Sequence, residues 1–326
     1  MCRKSFMPAL LSFEDAINKT DGEDRALLLG NGFSAKYFTY SSLLAASDLE
    51  AGKPIRNLFD ALGTADFEAV VRALEDAAIV ERAYAQEAHA DELEAHAQEV
   101  REALVHALNK THPTHRGDLD YASSAAFLGH FTSVFSLNYD LLLYWVNLEK
   151  GRLRDGFGLG SDQGQFRGPF SEEAHCQLFN IHGGLHLFDD GTGDIIKALD
   201  RGNGVIATIS DTIVKRRRLP VYVAEGTSAQ KMRRINSVAY LRRCYDMLRR
   251  NAATVFVYGH SADENDKHIY QAIFASEVKH IYFGVYKPDA DKLKQLDGLL
   301  SKYQKIAGSD AGYSFYDSES AKVWEA

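Results

Sequence analysis

Four short polar clusters follow apolar runs along this 326-residue chain, and their residue types suit chemistry on a nucleotide. The first is Gly30-Asn31-Gly32-Phe33-Ser34, after the apolar run Ala26 to Leu29. A short apolar run with polar flanks suits a strand buried on both faces. The two glycines then allow a tight turn and leave no side chain between the backbone and a ligand. If a helix follows, its first N–H groups and its dipole point at whatever lies over the turn, and a phosphate fits best there. The turn is not a P-loop, because no Gly-Lys-Ser/Thr follows, and it lacks the third glycine of the dinucleotide fingerprint. The second cluster, Asn138-Tyr139-Asp140, closes the apolar run Phe131 to Leu137. The third, His182-Gly183, follows Cys176 to Ile181, and the fourth, Gly259-His260-Ser261, ends Thr254 to Tyr258 with Asp263 and Asp266 just beyond. Ligands of open parallel sheets sit outside the carboxyl ends of the strands, so clusters on that edge belong to one site.

Plainer roles stand beside these. Asp140 equally suits the N-cap of a helix starting at Leu141. Asn138 suits a turn, and Ser261 with Asp263 suits a turn and a helix cap. His186, two residues past Gly184, reads as structural.

The elements that must position the clusters alternate between strand and helix. Residues 1–24 read as an amphipathic lead-in with Phe13, Ala16 and Ile17 on its apolar side. A helix is expected through Tyr37 to Ala46 and a loop at Gly52-Lys53-Pro54. Residues 66–110 contain no Gly or Pro, and Leu93, Ala97, Val100, Leu104 and Leu108 recur at helical steps. They predict one long helix or a helical pair. Beyond them come a helix over 141–148, a glycine-rich loop over 151–168, and short strands at Val205 to Ile209 and Val221 to Ala224. A helix over 228–250, a strand ending at Tyr258 and a helix over 267–278 follow. A strand over 280–286, a helix over 288–306 and a last strand near Ser314 to Tyr316 complete the chain. This alternation predicts an α/β fold, Rossmann-like, with a mostly parallel sheet and helices on both faces. Residues 1–64 and 111–326 form the Rossmann-like domain in this reading, and 65–110 an all-helical insertion.

Composition narrows the class. With 45% hydrophobic and 25% charged residues the chain is an ordinary globular one. No apolar run approaches the ~20 residues that span a membrane, and Met1-Cys2-Arg3-Lys4 opens no signal peptide. Cys2, Cys176 and Cys244 form no CxxC pair, so no metal site is expected from them. A reducing cytoplasm is the simplest compartment. The net charge of −8 argues against a dedicated nucleic-acid binder but hides a local asymmetry. Residues 66–110 hold 11 acidic and 4 basic side chains, and residues 215–250 hold 11 basic and 2 acidic. Solvated helix faces explain such blocks. Alternatively the two blocks meet, within one subunit or between two, in a homo-oligomer.

The order of the clusters resembles the sirtuin-like superfamily, whose members carry a Gly-Ala-Gly-x-Ser turn, an Asn-x-Asp, a His-Gly and a late Gly-x-Ser. The Asn-Tyr-Asp form, and Gly-His-Ser followed by Asp263 and Asp266, look more like bacterial sirtuin-like NAD-cleaving effectors than deacylases. A bacterial domain family of that group is more similar still, in Pro220 to Ser228, in Gly259 to Ile269 and in the Gly-Asn-Gly-Phe-Ser turn. The paired CxxC zinc module and the Gly-Ile-Pro-Asp-Phe-Arg segment of deacylases are missing. The resemblance therefore implies NAD cleavage rather than deacylation, with NAD as substrate or ligand and no metal. It implies that backbone N–H groups of Gly30, Asn31, Gly32 and Phe33 hold the diphosphate with Ser34 assisting. Asn138 would bind the ribose or place a water, His182 would act as general base, and Asp140 would orient a neighbour. Gly259, His260, Ser261 and Asp263 would hold the adenosine ribose. By the same resemblance the protein is an NAD glycohydrolase acting in anti-phage defence, restrained by oligomerisation or released by a partner protein. The alternative is a sensor that binds NAD or an ADP-ribose-like nucleotide without turnover.

Overall fold

The computed structural model describes residues 10–38, 43–113, 116–151, 153–157, 176–199 and 204–325. Its strands are β1 (Leu10–Leu11), β2 (Arg25–Leu29), β3 (Ser133–Ser136), β4 (Leu178–Asn180), β5 (Gly183–Asp189), β6 (Ile195–Lys197), β7 (Pro220–Tyr222), β8 (Thr254–Tyr258), β9 (His280–Val285) and β10 (Gly312–Asp317). Seven form one parallel sheet in the order β1-β10-β9-β8-β2-β3-β4. Helices flank it, as the α/β alternation predicts. The order reverses between β2 and β8, which makes that pair the switch point of the sheet.

β2 shows why the sheet is buried on both sides. Leu27 and Leu29 join one core with Phe33, Val134 and Phe256, while Ala26 and Leu28 join the other with Phe135, Val255 and Val257. Side chains alternate across a strand, so a continuous apolar run fills both cores.

Residues 66–110 resolve into two helices, Phe67–Ala83 and Glu87–Thr111, with Ala85 in a left-handed conformation between them. Asp66 caps the first helix through the Glu68 N–H. Their apolar faces (Val70, Leu74, Val100 and Leu104) lie in the same core as β2. The acidic and basic blocks do meet within the chain. Arg234 pairs with Glu68, its Nη1 lying 3.3 Å from Oε1.

Several expected elements differ. Val205–Val214 is a helix, not a strand. Its β-branched residues suit either state, but Val205, Ile209, Thr212 and Ile213 are the buried ones, at helical spacing. The helix expected over 228–250 breaks at the extended Val238 into Ser228–Ser237 and Ala239–Arg249. In place of a helix from Tyr37 there is a short one, Leu43–Ala46, and residues 39–42 lie outside the described residues. Residues 158–168 of the expected glycine-rich loop also lie outside them. A three-stranded sheet, β6-β5-β7, antiparallel throughout, was not expected at all. Among the described residues no helix is long and apolar enough to cross a membrane.

Candidate functional site

The carboxyl ends of β2, β3, β4 and β8 carry the four clusters, and the fold joins them. Gly32 and Gly259 make the first junction. The Gly32 N–H donates to the Gly259 carbonyl at 2.8 Å. A Cβ on Gly32 would stand 2.5 Å from the Gly259 Cα, and Gly259 itself has φ +69°. The two turns pack backbone on backbone, which only glycines permit. Replacing Gly32 by Ala forces them apart and is expected to cost about 1–3 kcal/mol in urea unfolding. Gly298→Ala, on an exposed helix face with open space around it, is expected to stabilise by about 1 kcal/mol.

This packing engages three of the N–H groups of the expected phosphate cradle. No α-helix follows the turn, only one 3₁₀ turn over Asn31–Phe33. The N–H groups of Gly30, Gly32 and Phe33 already donate to Tyr258, Gly259 and Gly30 carbonyls. Ser34 is fully buried, and its hydroxyl accepts from the Asn138 amide at 3.2 Å. That bond is the second junction. It leaves the buried Asn138 Oδ1 without a hydrogen-bond partner. Asp140 caps the following helix, accepting the Leu142 N–H at 2.8 Å. Asp263 likewise caps the next turn through the Asn265 N–H at 2.9 Å. Asn31 is exposed.

Asp266 makes the third junction. One of its oxygens lies 3.4 Å from His260 Nε2, and the other lies 4.0 Å from His182 Nε2. The His260 Nδ1 accepts from the Ala262 N–H at 3.0 Å and lies 2.7 Å from the Tyr270 hydroxyl. Lys231 Nζ lies 2.7 Å from Asp266 Oδ1. Burial pushes the Asp266 carboxyl up, but the His260 hydrogen bond, together with the neighbouring His182, His260 and Lys231, outweighs it and holds the group well below the usual carboxylate range. Burial pushes His182 down to about 3 against the opposing pull of Asp266, and His268 down to about 4. Both rings are therefore neutral at pH 7 with a free lone pair. His182 is followed by Gly183, where a Cβ would meet the Val221 carbonyl at 2.1 Å. His186 stacks on Tyr144, with ring centroids 4.2 Å apart, in keeping with a structural role.

A cavity of about 810 Å³ opens at the switch point, within the usual range for small-molecule sites. Gly32, Gly259, His260 and Ser261 line it, together with Lys36, Lys292, Lys322 and Trp324. The C-terminal segment closes one wall. Trp324 donates its indole N–H to the Phe33 carbonyl, and Lys36 Nζ donates to the Trp324 carbonyl at 2.6 Å. Asn138 and His182 do not line this cavity. They lie buried on its β3–β4 side, tied to its wall through Ser34 and Asp266. Asp266 was marked only as lying beyond the Gly259-His260-Ser261 cluster, and the lysines, Trp324 and His268 had no local signal in the sequence. Among the described residues, His182, Asp266 and His268 form the group whose donor atoms could hold a metal ion, within 4.8 Å of one another.

Fold and site together define a Rossmann-like α/β protein with a lysine-rimmed cleft at its switch point. Residues 27–324 match the family described as "Domain of unknown function (DUF4917)", and the chain belongs to that family. No curated protein matches it. The match begins within β2 and ends at Trp324, so it takes in every residue of the cleft named above.

Proposed function

We propose that the cleft binds NAD, or a near relative, and hydrolyses its N-glycosidic bond to nicotinamide and ADP-ribose. The observation that carries this reading is the joining of four separate motifs at one edge of the sheet, two of them lining the cavity at the switch point and two behind its wall. Their order is that of sirtuin-like NAD-cleaving effectors. Lys36, Lys292 and Lys322, which line the cavity together with Glu319 and Glu325, hold the diphosphate in place of the Gly30, Gly32 and Phe33 N–H groups, which are already engaged. Trp324 offers an aromatic face to the base. In the reaction the ribose C1′–N bond breaks and its electron pair leaves with nicotinamide. A water oxygen bonds to C1′, and its proton passes to the His182 lone pair. Asp266, 4.0 Å away, stabilises the imidazolium that forms. Asn138 uses its free Oδ1 to place the water or a ribose hydroxyl. Because both residues are buried, the nucleotide reaches them only as the chain above them opens.

Their burial also favours a second reading, a nucleotide sensor in which the cavity fills and no bond breaks. Incubation with NAD and chromatography of the products separates the two. Nicotinamide release that Asn138→Ala abolishes supports hydrolysis. Saturable NAD binding with no release in any variant supports the sensor. A role in anti-phage defence follows by analogy. So do a cytoplasmic location, a homo-oligomer using the remaining basic and acidic faces, and an activating partner protein.

A further inference from the structure

The polar cluster behind the cavity wall is larger than hydrolysis requires. His182 follows β4, Asp266 ends the 3₁₀ turn after β8, and His268 lies in the first turn of helix Lys267–Phe274. His182 is 5% exposed and His268 4%, and the Nε2 of each is buried with no hydrogen-bond partner. One orphaned buried nitrogen is costly, about 1–3 kcal/mol, and here two face one carboxylate. We propose that His182 Nε2, His268 Nε2 and an Asp266 oxygen form a three-ligand site for a divalent transition-metal ion of zinc's class.

The surroundings fit that assignment. The His268 Nδ1 lies 3.0 Å from the Ser228 hydroxyl, which fixes the ring and leaves Nε2 as the free donor. His260 orients the other Asp266 oxygen in the same way. Metal-binding residues are commonly held by such outer partners. Two imidazoles and one carboxylate suit zinc or its neighbours rather than calcium or magnesium, which prefer all-oxygen sets, and they leave a fourth position open. A cation already occupies the site's edge, the Lys231 ammonium on Asp266 Oδ1. It has somewhere to go. Lys231 also lines a separate cavity of about 310 Å³ beside Asp66 and Glu225. An entering metal displaces the ammonium from Asp266 toward those carboxylates.

The metal and the hydrolytic base use the same His182 lone pair, so the metal-loaded chain is the inactive one. Metal binding itself does not depend on NAD being the substrate. The test uses the full chain, freed of metal with a chelator and titrated with Zn²⁺ by calorimetry and with Co²⁺ by visible absorption. One equivalent per chain is expected. Ser228→Ala and His268→Ala are expected to weaken binding by at least ~10-fold. Lys231→Met, which removes the competing cation, is expected to bind more tightly than the natural chain. Binding well below one equivalent overturns the proposal, as does an affinity unchanged by His268→Ala or by Lys231→Met. No nicotinamide release from the metal-free chain, with metal binding intact, would count against the hydrolytic reading alone.

Discussion

His182→Ala is expected to lower the turnover of NAD by about 10²–10⁴-fold while leaving NAD binding within a few-fold of the natural chain. The asymmetry follows from position. His182 does not line the 810 Å³ cavity, whose lysines and Trp324 supply the binding contacts. It stands behind that wall, where only the reacting centre would meet it. The loss should therefore fall on kcat and spare KM, the signature of a group used only at the transition state. Steady-state kinetics with NAD and calorimetry with ADP-ribose read the two quantities separately. If binding falls as far as turnover, His182 is a structural residue and the base lies elsewhere.

A second large effect concerns stability. His112, His182, His186 and His268 are all buried, between 4% and 6% exposed. Burial pushes His112 and His268 down to about 4, and His182 and His186 down to about 3, from an ordinary 6.5. Below pH 6.5 the unfolded chain therefore takes up protons that the native chain refuses. Stability falls as pH falls, from about 6.5 until each native value is reached. Each ring contributes about 1.4 kcal/mol per pH unit in that window. Four together approach about 8 kcal/mol by pH 5, comparable with the whole stability of a typical domain. Unfolding near pH 5 is the expected result in a circular dichroism titration. His186→Phe keeps the stack on Tyr144 and removes one of the four contributions. It should move the midpoint to lower pH. Stability unchanged between pH 7 and pH 5 would contradict the account.

Much of the fold was legible because its signals are local. β2 and β8 are short, mainly apolar runs that end in glycine turns, and a doubly buried strand suits them. Asp140 and Asp263 each accept an N–H at the start of the following turn, in keeping with the plainer of the two roles their spacing allowed. Val205 to Ile209 misled because a β-branched run states no period over five residues. Only the burial of Thr212 and Ile213 settles it as helix. The glycine turn misled in another way. Its spacing suggested room for a phosphate, whereas much of that room is filled by a second glycine turn more than 200 residues away. The missed half of the site has the same cause. Lys36 and Trp324 meet across 288 residues, and Lys231 and Asp266 across 35. Lysine and aspartate are ordinary surface residues until the fold brings them to one edge.

The central claim is that the cleft beside the packed Gly30–Ser34 and Gly259–Ser261 turns is a dinucleotide site. Calorimetric titration of the purified chain with NAD tests it most directly, with Lys322→Glu as the paired variant, since that change reverses one charge on the cavity wall without touching the packed glycines. The account predicts one saturable site per chain, weakened at least several-fold by the variant. No binding of NAD or ADP-ribose by the folded natural chain would contradict it, and would leave the joined turns as architecture alone.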